Sequence, residues 1–451
     1  PRIGLHDFWT LVAAQPEDRR IGDRVISPDD RSSFFCTGGT TGLPKIAVRR
    51  HRNEVANAAA AARFMGEAIG PGKTLFCGLP LFHVNGVLIT GLLPLSKGAH
   101  IVLGTPQGYR GDGVVARFWE IVERFRVNFF SGVPTLYAGL LQVPIGGRDV
   151  SSLEYGLCGA APMPIEVFRS FQERTGVAIL EGYGLTEATC VSSINPPAGE
   201  RRVGSIGLRL PGQDMEVVRT DADGTVLGEC ETNEVGLLVI CGPNVFEGYL
   251  NAEQNVGVWV ERGDGRRWLN TGDLARRDGD GYFWLVGRRK ELIIRGGHNI
   301  DPATIEEPLH RHPDVLIAAA VGRPDAHAGE LPIAYVQLKP GATVTETELM
   351  DFGRAHIGER AAIPKSIRIV DRIPLTAVGK IFKPALKTLE IEAAIVEALA
   401  AAEVPLSNLT VADVPGRGTT VTAELPDAAS AERARVVLGG FAYPFVVRSL
   451  K

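Results

Sequence analysis

Helix-type and strand-type patterns alternate along residues 74–290, and this alternation constrains the fold more than any other feature. Over 114–125, apolar residues recur at helical spacing and predict one buried helix face. Residues 127–131 then have the pattern of a strand, 164–174 that of a second helix, and 177–180 that of a short buried strand. Such alternation is typical of an α/β fold with substantial parallel sheet.

The pattern changes twice further along the chain. Over 205–285, Gly and Asp turns separate short strands, which predicts a smaller antiparallel β subdomain. From Arg288 a small α+β unit begins, and Thr345 followed by Glu348 predicts a capping box at the start of one of its helices. Its predicted strands are 315–321, 333–338 and 366–370.

We therefore predict three domains: a large α/β domain over 1–287, a small C-terminal domain over 288–385, and an α+β extension over 386–451. In the extension we predict helices at 390–402 and 429–438. The predicted strands are 419–424 and 443–447. The extension contains no catalytic motif that we recognise.

A run rich in glycine and threonine, T-G-G-T-T-G-L-P-K at 37–45, follows an apolar stub. Glycines let the backbone approach an anion closely, while hydroxyls and a lysine add donors, so the run indicates phosphate binding. A flexible surface turn is the alternative. The candidate residues are Thr37, Gly38, Gly39, Thr40, Thr41, Gly42 and Lys45.

Composition excludes several classes of protein. The chain has 451 residues, 45% of them hydrophobic, and a formal net charge of −4, which gives no reason to expect nucleic-acid binding. No apolar stretch is long enough for an integral membrane segment, and we expect a cytoplasmic protein. Six cysteines without a C-x-x-C pair make a zinc site or disulfide framework a poor interpretation.

A second run, E-G-Y-G-L-T-E at 181–187, directly follows a predicted strand, where ligands usually bind in open α/β sheets. Tyr183, between Gly182 and Gly184, offers a flat face for a base. Thr186 and Glu187 offer the hard oxygen ligands that Mg²⁺ prefers. A glycine-rich turn with a core tyrosine is an equally good interpretation of this run alone.

Two further sites are weaker in isolation. Asp273 in T-G-D-L can accept both hydroxyls of a ribose, and Arg288 can complement a sugar or phosphate, although a β-hairpin explains the same segment. Lys380 lies on a loop after a glycine, and His83 lies beside apolar residues. Taken alone, a solvated lysine and a core histidine are the better interpretations of these two residues.

Taken together and in this order, the runs resemble the acyl-adenylate-forming superfamily, which includes acyl-CoA synthetases, adenylation domains and luciferases. The matching segments span about 340 residues by our count. They are 37–45, P-L-F-H-V-N-G (80–86), G-A-A-P (159–162), 181–187, T-G-D-L (271–274), G-R-R-K-E-L-I (287–293), G-G-H-N-I (296–300) and P-L-T-A-V-G-K (374–380).

The resemblance implies a two-step reaction. A carboxylate attacks the α-phosphate of Mg-ATP to give acyl-adenylate and pyrophosphate, and a thiol, usually coenzyme A, then displaces AMP. The small C-terminal domain is implied to rotate between the two steps, with Lys290 at the hinge. The resemblance thus implies ATP, Mg²⁺ and coenzyme A as cofactor and co-substrates. The apolar residues at 87–89 and 91–93 suggest an apolar acyl pocket and hence a fatty or aromatic acid, although a core helix is the better explanation of the same residues.

The resemblance also assigns roles at the nucleotide site. The 37–45 loop is implied to hold the β- and γ-phosphates, while Thr186 and Glu187 serve the metal. Asp273 and Arg288 are implied to hold the ribose. The residues implied to flank adenine are Gly159, Ala160, Ala161 and Tyr183. Gly182 and Gly184, on either side of Tyr183, are implied to bind the nucleotide as well.

At the reacting groups, Lys380 is implied to bridge the substrate carboxylate and the α-phosphate, with His83 lining the acyl pocket. The segment Gly296, Gly297 and His298 is implied to face the thiol. Many CoA ligases have Glu where this chain has His298.

The chain also departs from its relatives in length at both ends. Only 36 residues precede the phosphate loop, so the first α/β subdomain of the family is expected to be absent, and about 70 residues follow Lys380. Two alternatives to a CoA ligase stay open: an adenylation domain that loads a carrier protein, and a truncated inactive homologue acting in protein assembly. A homo-oligomer also stays open.

Overall fold

The fold was analysed in a computed structural model, which describes residues 7–18, 22, 25–37, 45–221, 223–288, 290–414 and 417–450. Ten α-helices lie within these ranges. They are α1 (Phe8–Ala13), α2 (His51–Met65), α3 (Leu93–Ser96), α4 (Phe118–Phe125), α5 (Pro134–Leu140), α6 (Ile165–Thr175), α7 (Ala303–His310), α8 (Glu346–His356), α9 (Lys383–Ala401) and α10 (Ala428–Leu438).

Shorter helical segments supplement them. A π-helix runs over Asn85–Leu92. The 3₁₀-helices are Gly66–Ala68, Gly108–Arg110, Thr186–Ala188, Ala252–Asn255 and Arg360–Ala362.

A seven-stranded sheet forms the centre of the large domain, and its first five strands are parallel. Helices α4, α5 and α6 cover one face with aromatic side chains, among them Phe118, Trp119 and Phe171. Because the first five strands are parallel, their carboxyl ends meet at one edge of the sheet. In spatial order the strands are β4 (His100–Leu103), β3 (Thr74–Cys77), β5 (Phe129–Gly132), β6 (Tyr155–Cys158), β7 (Ala178–Tyr183), β8 (Ser193–Ile194) and β9 (Leu208–Arg209).

Two antiparallel sheets complete the large domain. The smaller is β1 (Arg31–Thr37), β2 (Lys45–Arg50) and β13 (Gly248–Tyr249), and β1 pairs with β2 so that Thr37 faces Lys45. The larger sheet confirms the predicted antiparallel subdomain. Its strands are β11 (Val226–Glu229), β10 (Asp214–Thr220), β12 (Gly236–Cys241), β15 (Trp268–Arg277) and β14 (Trp259–Val260), with β16 (Phe283–Arg288) paired to β15.

The C-terminal domain is a five-stranded sheet backed by α7 and α8. Thr345 caps α8, and its reciprocal bond with Glu348 confirms the predicted capping box. The strands are β18 (His298–Ile300), β17 (Ile293–Arg295), β20 (Gly329–Leu338), β19 (Val315–Asp325) and β21 (Ser366–Ile369).

The extension folds as a three-stranded sheet with α10 and the second half of α9 packed on one face. Its strands are β22 (Asn408–Val414), β23 (Gly418–Leu425) and β24 (Phe445–Ser449). Helix α9 begins at Lys383 and runs through the boundary predicted between 385 and 386. The extension and the C-terminal domain therefore share one continuous helix.

The fold class is the α/β class predicted from the sequence, with a large N-terminal part and a smaller α+β part. One helix is shorter than predicted: α4 begins at Phe118 because Gly111 and Gly113 place the preceding residues in turns. Within the described ranges, no helix is long and apolar enough to cross a bilayer.

Candidate active site

A pocket of about 310 Å³ lies between the large domain and the C-terminal domain, at the carboxyl edge of the parallel sheet. From the large domain its walls include the turn after β6 and the end of β7. From the C-terminal domain they include α7, β19 and the loop that carries Lys380. Segments far apart in the sequence therefore converge on one cavity.

Asp273 lies at the centre of a polar cluster in this pocket, with the buried Tyr183 on one side and the more exposed Arg288 on the other. Asp273 is itself buried, and its carboxylate accepts a 2.5 Å bond from the Tyr183 hydroxyl and a 2.9 Å bond from Arg288 Nε. The residues come together because β15 pairs with β16 in a register that sets Asp273 opposite Arg288. Burial, followed by the charge of Asp273, raises the pKa of Tyr183, so its hydroxyl stays protonated.

The turn after β6 places Ala160 and Ala161 against the same pocket, whereas Gly159 at the start of this turn donates its amide to the Gly132 carbonyl and is not a lining residue. Ala160 has φ +68°, a conformation uncommon for a residue with a side chain and one that clusters at ligand sites. Across the pocket, Gly184 lies against the Cys190 carbonyl so closely that a Cβ at Gly184 would come within 1.6 Å of that oxygen. The second glycine of E-G-Y-G is thus required by packing.

Thr186 and Glu187 form the short 3₁₀-helix that follows β7. The Glu187 carboxylate accepts a hydrogen bond from the Tyr249 hydroxyl, and Lys45 Nζ lies 4.8 Å from the centre of the same ring. Burial, followed by the charge of Glu187, raises the pKa of Tyr249. Tyr249 therefore joins the end of the predicted phosphate loop to the predicted metal ligand.

Lys380 reaches the pocket from the C-terminal domain and is partly buried there. Burial, followed by repulsion from Arg288, lowers the pKa of its ammonium to about 8. Opposing attraction comes from Glu291 and Asp273. A lysine with a lowered pKa inside a cleft is a common feature of functional sites.

His83 lies within electrostatic range of Lys380. Burial, followed by the Lys380 charge, lowers the pKa of His83 to about 4, so the ring is neutral at pH 7. The backbone amide of Asn85 donates to Nδ1 of His83 at 3.3 Å, which leaves the proton of the neutral ring on Nε2. His83 can therefore donate a hydrogen bond without adding a second positive charge.

Glu181, at the end of β7, is a buried carboxyl on the opposite wall. Burial raises its pKa to about 8, although the Gly204 amide donates a 2.7 Å bond to it. The negative charge of Glu307, from the C-terminal domain, also raises the pKa of Glu181. The two carboxyl groups therefore interact across the domain boundary.

Other predicted residues lie either outside the described ranges or away from the pocket. Gly38, Gly39, Thr40, Thr41 and Gly42 lie outside the described residues. Lys290 is exposed in the turn between β16 and β17. Gly296 and Gly297 form the turn of an exposed hairpin, both with positive φ, and His298 next to them pairs with Glu359. This hairpin does not line the pocket.

Two residues at the site were absent from the sequence interpretation. Tyr249 belongs to a two-residue strand, and no spacing in the chain connects it to Glu187. Thr135 lies in α5 and donates a 2.6 Å hydrogen bond to the Gly379 carbonyl. The sequence V-P-T at 133–135 directly follows the carboxyl end of β5, where ligands usually bind in open α/β sheets. This position is the signal that could have drawn attention to Thr135.

Comparison with known proteins identifies the family of this chain. A family model described as "AMP-binding enzyme" matches residues 6–250, and the model of the C-terminal domain of the same enzymes matches residues 304–380. The chain belongs to the AMP-binding enzyme family. The extension lies beyond both matches.

Relatives within this family are named CoA ligases. The chain is 46% identical over 389 residues to marinolic acid–CoA ligase of Pseudoalteromonas sp. (strain SANK 73390), which covers 84% of this chain and 58% of the relative. It is 33% identical to long-chain-fatty-acid–CoA ligase of Bacillus subtilis (strain 168), covering 86% of this chain and 67% of that protein. The chain thus spans about three fifths to two thirds of these relatives' lengths.

Solved structures agree with the fold. ATP-bound MatB from Rhodopseudomonas palustris aligns with a TM-score of 0.74 at 29% identity, covering 84% of this chain and 71% of MatB. The anthranilate CoA ligase AuaEII in complex with anthranoyl-AMP aligns with a TM-score of 0.72 at 26% identity, covering 81% of this chain and 69% of AuaEII.

Proposed function

We propose that this protein activates a carboxylic acid with ATP to form an acyl-adenylate and pyrophosphate, and then transfers the acyl group to coenzyme A with release of AMP. The observation that carries the proposal is the position of Lys380. This lysine comes from the C-terminal domain and shares a pocket with Asp273 of the large domain and with Arg288, the last residue of β16, which pairs with Asp273 at the boundary between the two domains. A cation delivered to a nucleotide site by a second domain suits a reaction that joins two anions.

The donor set of the pocket fits a nucleotide. The Asp273 carboxylate accepts the ribose hydroxyls, with Arg288 and Tyr183 holding its oxygens in place. The turn at Gly159, Ala160 and Ala161 and the flat ring of Tyr183 flank the base. The same roles are implied by the family resemblance.

The residues around Glu187 fit Mg²⁺. Glu187 and Thr186 offer hard oxygen atoms, and Mg²⁺ usually binds one or two protein oxygens together with substrate phosphates. When bound, the metal neutralises the charge of the departing pyrophosphate. The 37–45 loop holds the β- and γ-phosphates, and its last residue, Lys45, lies over the ring of Tyr249, which bonds to Glu187.

The chemical step brings a carboxylate oxygen to the α-phosphorus while the bond to pyrophosphate breaks. The Lys380 ammonium bridges the substrate carboxylate and an α-phosphate oxygen, and so offsets their repulsion. Because this charge is fixed in a site poor in water, it stabilises the transition state strongly. His83 donates from Nε2 to the carboxylate and keeps it oriented.

In the second step, the thiol sulfur attacks the acyl carbonyl carbon and AMP leaves with the electrons of the acyl–oxygen bond. We assign Lys290 to the hinge, and the hairpin of Gly296, Gly297 and His298 to the face that meets the thiol. Both lie outside the pocket in the present orientation, which is the arrangement expected before the C-terminal domain rotates.

We propose a fatty or aromatic acid as the substrate. The relatives named for marinolic acid and long-chain fatty acids, and the structure holding anthranoyl-AMP, support this class. A relative named sulfoacetate–CoA ligase is 36% identical over 355 residues, so small anionic acids belong in the same screen.

An exchange of labelled pyrophosphate into ATP, run over a panel of acids, tests the first step. We expect exchange with at least one apolar acid, and strongly reduced exchange with the Lys380→Ala variant. The acceptor is tested by adding coenzyme A or a phosphopantetheinylated carrier protein. Transfer to the carrier alone would contradict CoA ligation, and no exchange with any acid would contradict the proposed enzyme.

A further inference from the structure

Two polar contacts join the C-terminal domain to the large domain beside the pocket. Thr135 Oγ1 donates to the Gly379 carbonyl at 2.6 Å. The Ile165 amide donates to Glu307 Oε2 at 3.2 Å. Leu316 adds an apolar contact, since it packs against the core of the large domain.

The Thr135 contact acts on the backbone that carries Lys380. Residues Thr376–Lys380 form a closed turn in which the Thr376 amide donates to the Lys380 carbonyl and the Lys380 amide to Thr376 Oγ1. Gly379 has φ +86°, and a Cβ there would lie 3.3 Å from Val133 Cγ2, so the turn approaches α5 closely. The Thr135 hydroxyl therefore fixes the peptide group immediately before Lys380.

The Glu307 contact completes the start of α6. Pro164 occupies the N-cap position of this eleven-residue helix, and its side chain makes no capping bond. The Glu307 carboxylate, from α7 of the other domain, accepts from the first helical amide instead. A carboxylate at a helix N-terminus is favoured by the exposed amides and the helix dipole.

We propose that Thr135 and Glu307 are positioning residues that together form an interdomain clamp, which holds the C-terminal domain in the orientation that presents Lys380. The expected effect of the clamp on pyrophosphate exchange rests on the proposed function, whereas its expected effect on domain orientation does not. Without the clamp, the large domain and the C-terminal domain populate other relative orientations, and Lys380 leaves the pocket for part of the time.

The kinetic test compares Thr135→Val with Thr135→Ser. Valine keeps the shape and removes the hydroxyl, whereas serine keeps the donor. We expect Thr135→Val to lower kcat of pyrophosphate exchange about 10-fold, the effect of losing roughly one hydrogen bond, with little change in the KM for ATP. Serine should restore most of the rate, and coenzyme A transfer from supplied acyl-adenylate should not fall.

The structural test measures the domain orientation directly. Spin labels are placed at Glu173→Cys in α6 and Arg354→Cys in α8, in a background where exposed Cys36 is changed to Ser. We expect one dominant distance in the parent. The double variant Thr135→Val with Glu307→Leu should shift a large fraction to a second distance while its melting temperature stays close to that of the parent.

The outcomes separate the two proposals. A distance shift without any exchange activity in the parent supports the clamp and contradicts the enzyme. Exchange in the parent with an unchanged distance distribution in the double variant contradicts the clamp. The clamp is also contradicted if Thr135→Ser is as impaired as Thr135→Val, or if both half-reactions fall equally.

Discussion

The C-terminal domain meets its two neighbours through very different junctions. Toward the extension, Glu390 of α9 is fully buried and accepts hydrogen bonds from Arg323, Tyr335 and Arg368 at 3.1, 2.5 and 3.1 Å. Toward the large domain, the junction consists mainly of the Thr135 and Glu307 contacts and Leu316.

Under the proposed two-step reaction, this difference indicates the junction at which the C-terminal domain rotates. Breaking the junction with the extension would leave buried charges without partners and would interrupt a continuous helix, both of which cost much free energy. Breaking the junction with the large domain exchanges two hydrogen bonds for bonds to water, at small net cost. We infer that the C-terminal domain and the extension rotate as one body.

The largest expected effect concerns Lys380, which the C-terminal domain brings to the pocket at its junction with the large domain. We expect Lys380→Ala to lower the rate of adenylate formation about 1,000-fold, because a preorganised charge at the transition state is lost. Coenzyme A transfer from supplied acyl-adenylate should survive, since the rotated domain carries Lys380 away. Single-turnover assays of each half-reaction measure the two rates separately. An equal loss in both would contradict the assigned role.

The junction with the extension is tested by Glu390→Ala. We expect the free energy of unfolding to fall by about 3 kcal/mol, because Arg323 and Arg368 lose their buried partner. Glu397→Ala is the matched control: Glu397 pairs with the same Arg323 but its side chain is 69% exposed, so its loss should cost less than about 1 kcal/mol. Urea denaturation measures both values.

If both variants lose the same stability, the buried junction is no stronger than a surface ion pair. The contrast between the two junctions, and the rotation of one combined body, would then have no support. If Glu390→Ala, but not Glu397→Ala, shows a separate unfolding transition of the extension at lower urea concentration, the difference between the two junctions is supported.

Local patterns predicted the elements better than their ends. The capping box at Thr345 was predicted correctly because N-cap signals depend on neighbouring residues only. Strand β22 was missed: it is an edge strand whose apolar residues Leu409 and Val411 are few and only half-buried. Helix α9 was predicted to start at 390 but starts at Lys383, since contacts with the C-terminal domain order its first turns.

The site was less accessible to local reasoning than the fold. No spacing rule predicts that Lys380 approaches Asp273, because their proximity depends on how two domains pack. The roles came from the family resemblance, and local patterns left each residue with a plain structural explanation. Tyr249 and Thr135 were missed for the same reason, since each acts through a partner distant in sequence.

The smallest expected effect is a pH dependence, which tests whether Lys380 is the cation that the C-terminal domain brings to the pocket. Its pKa of about 8 in the folded protein, against an ordinary value of 10.5, means that its charge is lost as the pH rises through 8. We therefore expect kcat/KM for pyrophosphate exchange to decline above pH 8. Lys380→Arg is the matched control, since a guanidinium stays protonated and should shift the decline to higher pH.

Unfolding cannot explain this decline through Lys380. Between pH 8 and 10.5 the unfolded chain binds more protons at this residue than the folded chain does, so its contribution to stability increases with pH. Loss of exchange above pH 8 with an unchanged melting temperature therefore reports the lysine itself. A decline that is identical in the parent and in Lys380→Arg would assign the titration to another group and remove this support for a cation delivered to the pocket.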